Sequence, residues 1–151
     1  MGSRSTILIA AGLAFVLSAC KEDRRKVERM EYRALKDQLS RISRTETVDL
    51  DKEIERLEGI EISTARIASC RDTCLEAYRA ILEASASSKK AQEIISALEG
   101  ETDPETMEKD QEKALLLLAD SESSLGRARE IKDRCYDLLD DLEGEGLDRN
   151  R

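Results

Sequence analysis

The fold of this chain is decided by residues 63–98, which read STARIASCRDTCLEAYRAILEASASSKKAQEIISAL. Small and apolar residues return every seven positions, in two stripes: Ser63, Cys70, Ala77, Ala84, Ala91 and Leu98, beside Ile60, Ile67, Cys74, Ile81, Ser88 and Ile95. Such stripes are the two apolar positions of heptad repeats, which set one face of a long helix against a partner. A single helix over residues 49–99 is therefore predicted, with Gly59 as the expected position of a kink.

A second heptad helix is predicted over residues 104–143. Asp103 and Pro104 mark its start, because an acid is favoured at the N-cap and proline at the first helical position. The same seven-residue spacing recurs along it, in Met107, Ala114, Ser121, Ala128, Cys135 and Leu142 with Leu117, Ser124, Ile131 and Leu138 beside them. The short turn before Asp103 makes the two helices antiparallel.

The position of this turn also predicts the register of the pair. If Leu98 lies opposite Met107, then Ala84 lies opposite Ser121. Small residues then face each other in successive layers, which allows the helices to approach closely. A hairpin of about 37 residues per arm would be roughly 55 Å long, at ~1.5 Å of rise per residue.

A shorter helix is predicted over residues 23–44, where Tyr32, Leu35, Leu39 and Ile42 follow heptad spacing. Its apolar side chains match those of residues 50–60 in reverse order, so it is expected to cover the open end of the hairpin. The predicted fold is all-α: a long antiparallel, Ala-rich helical hairpin with a shorter N-terminal helix at its open end, resembling a three-helix bundle.

The amino-terminal residues have the order of a secretory signal peptide. Arg4 precedes an apolar run over residues 7–17, and small residues precede Cys20. The sequence Leu-Ser-Ala-Cys at residues 17–20 resembles the lipobox of bacterial lipoprotein signals. The alternative is an ordinary signal peptide that is cleaved at another bond.

The resemblance to lipoproteins covers residues 1–20 alone. It implies that residues 1–19 are removed, that Cys20 receives lipid, palmitate included, and that residues 20–151 form the mature helical domain. It also implies attachment to the cell envelope, with the protein facing the periplasm or the cell surface. Lys21 stands where some lipoproteins carry the Asp that retains them in the inner membrane, so the outer membrane is expected.

Charge is abundant and unevenly distributed along the chain, which has 38% charged residues and a net charge of −8. Residues 21–44 hold nine Lys/Arg and five Asp/Glu, a net of +4 beside the expected lipid, and the rest of the chain is acidic. The basic residues Arg24, Arg25, Lys26 and Arg29 either contact anionic lipid headgroups or lie against the acidic hairpin. The acidic remainder argues against a nucleic-acid partner.

The cysteines carry the remaining predictions about sites. Export favours disulfides, and the register sets Cys70 opposite Cys135, which predicts a bond between the two helices. Cys74 is then a free or an intermolecular thiol, whereas a register shifted by one turn would pair Cys74 with Cys135. The chain has no His, so neither a metal site nor a cofactor is expected.

The function predicted from these features is non-catalytic. The chain is expected to act as a membrane-anchored structural, scaffold or protein-interaction module, with another envelope protein as its partner and a homodimer as a further option. The alternative is a thiol-based redox or accessory enzyme of the envelope that uses Cys70 and Cys74. No catalytic residue is expected, since the most common general base, His, is missing.

Overall fold

The computed structural model describes residues 6–46 and 49–147, with side chains from Glu22 onward. Four helices account for most of these residues, and none of the residues described forms a strand. The helices are α1 (Thr6–Ile42), α2 (Leu50–Glu58), α3 (Ala65–Leu98) and α4 (Pro104–Gly144). The predicted all-α class and the long antiparallel hairpin, formed by α3 and α4, are confirmed.

The hairpin has the predicted turn and the predicted pairing. Asp103 caps α4, accepting a hydrogen bond from the backbone N–H of Thr106 at 3.1 Å. Further along, the hydroxyl of Ser121 donates to the carbonyl oxygen of Ala84 at 2.8 Å. The expected alignment is therefore confirmed in this layer. We call residues 83–125 the finger, since α1 and α2 pack at the other end of the hairpin.

The prediction of one helix over residues 49–99 is wrong, because the chain leaves the helix at Gly59 and re-enters it at Ala65. Gly59 itself keeps a right-handed backbone with φ −74°, so the freedom of glycine is not the cause. Hydrogen bonds from α1 and from further along α3 keep residues 60–64 out of a helix. The guanidinium of Arg71 donates to the carbonyl of Ile60 at 2.9 Å, and Glu31 of α1 accepts from the N–H groups of Ser63 and Thr64 at 2.7 and 3.1 Å.

The main core lies where α1 and α2 meet the start of α3 and the end of α4. We call this part, residues 22–46, 49–82 and 126–147, the base. Its fully buried side chains include Tyr32, Leu35, Leu57, Ile67 and Cys70. The predicted pairing of the first helix with residues 50–60 is supported by Gln38, whose amide donates to the carbonyl of Glu53 at 3.1 Å.

The carboxyl-terminal end of α4 closes the base. Gly146 has a φ of +81°, a left-handed conformation that glycine adopts without strain. The turn folds Leu147 back into the core, where it is buried.

Helix α1 is longer than the predicted 23–44, since it begins at Thr6 and ends at Ile42. Cys20 lies within it, but its side chain is outside the part of the chain that the structure describes. Over residues 6–46 and 49–147, no helix has an apolar stretch long enough to cross a membrane.

Candidate functional site: the cysteine cluster and the basic cavity

Three cysteines meet inside the base, and their pairing differs from the prediction. Cys74 is bonded to Cys135, with their Cα atoms 5.1 Å apart. Cys70 is the free thiol, and it is completely buried. The predicted Cys70–Cys135 bond and the prediction of Cys74 as the free thiol are therefore wrong.

The cause lies in how antiparallel helices interleave. The Ser121–Ala84 contact keeps the predicted register, so α3 has not moved by a whole turn. Cys135 instead lies between two successive turns of α3, with Cys74 on one side and Cys70 on the other. The Cys70 sulfur lies 3.9 Å from the backbone carbonyl oxygen of Cys135. The Cys135 sulfur is bonded to Cys74.

The surroundings of Cys70 suit a structural thiol. Burial raises the pKa of its thiol to about 11, so the thiolate is scarce at neutral pH. Tyr78, one turn after Cys74, is also buried. Its pKa is raised, mainly by burial and to a smaller extent by the neighbouring Tyr136. Reactive cysteines have exposed thiols with lowered pKa values, so this environment opposes nucleophilic attack by Cys70.

The described residues contain no cluster of three or more His, Cys, Asp or Glu side chains arranged to hold a metal ion. The chemistry that the cysteine cluster offers is thus that of one interhelical crosslink and one buried thiol. The crosslink joins α3 to α4 inside the base, below the start of the finger.

A second candidate site is a cavity of about 460 Å³ at the surface of the base. Its walls come from three elements: Arg25, Glu28 and Arg29 on α1, Arg66 at the start of α3, and the backbone turn at residues 145–147. Arg66 makes ion pairs with both carboxylates of the cavity, Glu145 and Glu28, the latter at 3.3 Å. Three guanidinium groups therefore share the cavity with two carboxylates.

Sequence reasoning found only part of this cavity. The basic run on α1 indicated Arg25 and Arg29, which were expected to contact lipid headgroups or the acidic hairpin. It gave no reason to select Arg66 or Glu145, which are 79 residues apart and meet only in the folded base. A charge pattern reveals the cations of one helix but not the partners that neighbouring elements bring to them.

Compared with known protein families, curated proteins and solved structures, the chain shows no match.

Proposed function

We propose that this protein is a lipid-anchored, non-catalytic scaffold of the cell envelope whose finger binds another envelope protein. The observation that carries the proposal is the exposure of leucines on the finger. Leu115 and Leu116 are each 66% exposed, on a part of α4 that packs against α3 alone. Large apolar side chains exposed to this extent are informative when they occur together.

The sequence of α4 makes this exposure unavoidable in the isolated hairpin. Residues 115–118 are four successive leucines. At about 100° per residue they occupy roughly 300° of the helix circumference. A single neighbouring helix covers only one side, so two leucines are half-buried and two face away from α3. A partner helix against the open side would remove them from water.

The charge of the finger indicates what kind of partner fits. Residues 83–125 hold four Lys/Arg and 11 Asp/Glu, a net charge of −7. A second finger would bring the same negative charge against it, which disfavours a homodimer through this surface. The partner proposed here is therefore a different protein with an apolar surface and a basic rim.

Attachment to the envelope rests on residues 1–20. The signal-like order ending at Cys20 supports cleavage before Cys20 and lipid on its sulfur. The base would then lie at the membrane surface, with the finger directed away from the lipid. The bond between Cys74 and Cys135 agrees with an oxidising compartment.

The anchor is tested by mass spectrometry of the full chain purified from its native membrane. We expect an acylated Cys20 at the new amino terminus, and loss of the Cys20→Ser variant from the membrane fraction. A processed chain with an unmodified Cys20 would contradict the anchor.

The finger surface is tested by placing a photoreactive residue at position 116 in cells, with position 125 as a less exposed control. We expect a crosslink to one other envelope protein. The crosslinked protein, once purified, should bind the full chain in a salt-sensitive manner, about tenfold more weakly when Leu115 and Leu116 are both changed to Ser. A crosslink only to a second copy of this chain, or affinity that the double variant leaves unchanged, would overturn the proposal.

A further inference from the structure

We infer that the cavity lined by Arg25, Arg29 and Arg66 binds a phosphate group, of the kind carried by an anionic phospholipid or present as free phosphate. This inference deepens the proposed function and rests on it for the position of the membrane. The cavity has a volume of about 460 Å³, which is ample for one phosphate with its ester substituents. Arginine suits such a ligand, because its planar guanidinium donates two parallel hydrogen bonds to phosphate oxygens.

The ion pairs of the cavity leave two arginines available. Glu28 is held by Arg66 at 3.3 Å and by Arg24 at 3.7 Å, and Glu145 is held by Arg66. Neither Arg25 nor Arg29 forms an ion pair with any other described residue. Both carboxylates are thus already compensated, while two guanidinium groups line the cavity with no anionic partner among residues 22–46 and 49–147.

The backbone arranges these two guanidinium groups on one face. Arg25 and Arg29 are four residues apart on α1, so their side chains lie one above the other about one turn apart. Arg66 faces them from the first turn of α3, and its two ion pairs fix its direction. The remaining wall is firm, since Leu147 at its edge is buried in the core.

The position of the cavity along α1 agrees with a membrane ligand. Arg25 and Arg29 follow Cys20 by five and nine residues within one helix, or about 8 and 14 Å along the axis. Anionic headgroups attract basic residues within about a Debye length of the surface, roughly 8–10 Å. A lipid on Cys20 would therefore hold Arg25 within this distance of the headgroup phosphates, with Arg29 one helical turn further from the membrane.

A neighbouring lysine provides a matched control. Lys26 approaches Asp23 at 4.0 Å and does not line the cavity. It follows Arg25 directly on α1, so the two residues are almost equally far from Cys20 along the helix. The variants Arg25→Gln and Lys26→Gln each remove one positive charge, so they separate a defined site from general electrostatic attraction.

The test is a calorimetric titration of the full chain, purified from membranes in a neutral detergent. Its three arms are inorganic phosphate, short-chain phosphatidylglycerol and short-chain phosphatidylcholine, each lipid below its micelle concentration. We expect phosphatidylglycerol to bind to the native chain. Its affinity should fall about tenfold for Arg25→Gln and should stay within twofold of the native value for Lys26→Gln. Both variants should keep the native melting temperature by circular dichroism.

The outcomes distinguish a lipid headgroup from free phosphate as the ligand. They also distinguish failure of the phosphate site from failure of the lipid anchor on Cys20. Preference for phosphatidylglycerol over the other two assigns a lipid headgroup, and equal binding of inorganic phosphate assigns free phosphate. Equal weakening by both variants, or no binding in any arm, overturns the inference of a phosphate site in the cavity. Mass spectrometry of the same preparation reports acylation of Cys20 separately, so an unmodified Cys20 with intact phosphate binding would overturn the anchor alone.

Discussion

The base and the finger are built on the same heptad spacing but bury very different side chains. In the base the fully buried residues include Tyr32, Leu35, Leu57 and Ile67. In the finger every buried side chain that the structure describes is Ala or Ser: Ala84, Ala91, Ala114, Ser121 and Ser124. The large apolar residues of the finger are half-buried or exposed, and Leu115 and Leu116 are the most exposed of them.

This difference separates the part of the chain that stabilises the fold from the part that extends it. Burial contributes roughly 25 cal/mol per Å² of apolar surface, so alanines contribute far less than leucines or tyrosine. The finger therefore depends on its helix propensity and on the base that holds its two arms together. Its tip is expected to open locally at a lower free energy than the base.

The largest expected effect comes from removing the crosslink at the junction of the two regions. Cys135→Ser should lower the free energy of unfolding by about 4 kcal/mol, because the bond closes a loop between residues 61 positions apart. Urea unfolding of the oxidised native protein and the variant would measure the loss. An unchanged midpoint would show that the base holds the two arms without the bond.

The matched variant Cys74→Ser removes a cysteine from the same bond but leaves two cysteines, Cys70 and Cys135, on facing helices. Cys70 already lies against the backbone of Cys135, so we expect it to form the replacement bond when the protein is oxidised. Peptide mapping without reduction should find Cys70 joined to Cys135, with most of the stability kept. Two free thiols in the oxidised variant would contradict this expectation.

A cavity in the base is expected to cost about 2–5 kcal/mol. Leu57→Ala removes a fully buried side chain where α2 meets α1 and α3. The control is Leu116→Ala on the finger, which should change stability by less than about 0.5 kcal/mol because this leucine is exposed. Chemical unfolding of both variants compares the two regions directly, and equal losses would contradict the distinction between them.

Enlarging a small residue tests the close packing of the finger, with an expected cost of about 1–3 kcal/mol. Ala84→Leu adds volume in the layer where Ser121 contacts the backbone of α3. Ala86→Leu is its control, since Ala86 is exposed on the same helix. Hydrogen exchange should show faster opening of residues 83–125 in Ala84→Leu but not in Ala86→Leu. Equal exchange rates in the two variants would mean that the packing around Ala84 can accommodate a larger side chain.

The smallest expected effect concerns Glu31, the carboxylate that holds the start of α3. Glu31→Gln should cost about 0.5–2 kcal/mol, the range for loss of a helix cap. Burial by itself raises the pKa of Glu31, but hydrogen bonds from Ser63 and Thr64 together bring it below its ordinary value of 4.5. The carboxylate therefore contributes stability at neutral pH, and that contribution is lost as pH falls below the ordinary value and through the lowered pKa.

The contribution of the Glu31 carboxylate can be measured from the free energy of unfolding at pH 7 and at pH 3. The difference in stability between native protein and Glu31→Gln should be larger at pH 7 and should shrink at pH 3. A difference that stays constant between the two values would mean that the charge of Glu31 does not hold α3.

The heptad stripes were sufficient to predict the hairpin, because side chains at a fixed spacing must share one helix face. They also predicted the contact between Ser121 and Ala84. They could not predict the break between α2 and α3, since that break depends on Glu31, more than thirty residues earlier in the chain. Local spacing continues through the break, and only tertiary hydrogen bonds oppose the helix there.

The cysteine pairing shows a second limit of the same kind. Heptad spacing fixes the axial position of a residue to within about one helical turn, and Cys70 and Cys74 are one turn apart. Both thiols therefore satisfy the pattern, and the choice between them is made by the position of Cys135 between the two turns. For the basic cavity, sequence reasoning indicated the two arginines of α1 and missed Arg66, which is contributed by another helix.

The attachment of Glu31 to Ser63 and Thr64 also has a mechanical consequence. Helix α1 is continuous from the proposed lipid attachment point, Cys20, to Ile42. A tilt of this helix at the membrane would be passed by Glu31 to Ser63 and Thr64, directly before α3. Helix α3 has 34 residues and acts as a lever arm of about 51 Å at 1.5 Å per residue. A rotation of about 5° at this joint would move the far end of α3 by roughly 4 Å, and the exposed leucines, which lie part-way along the finger, by a smaller distance.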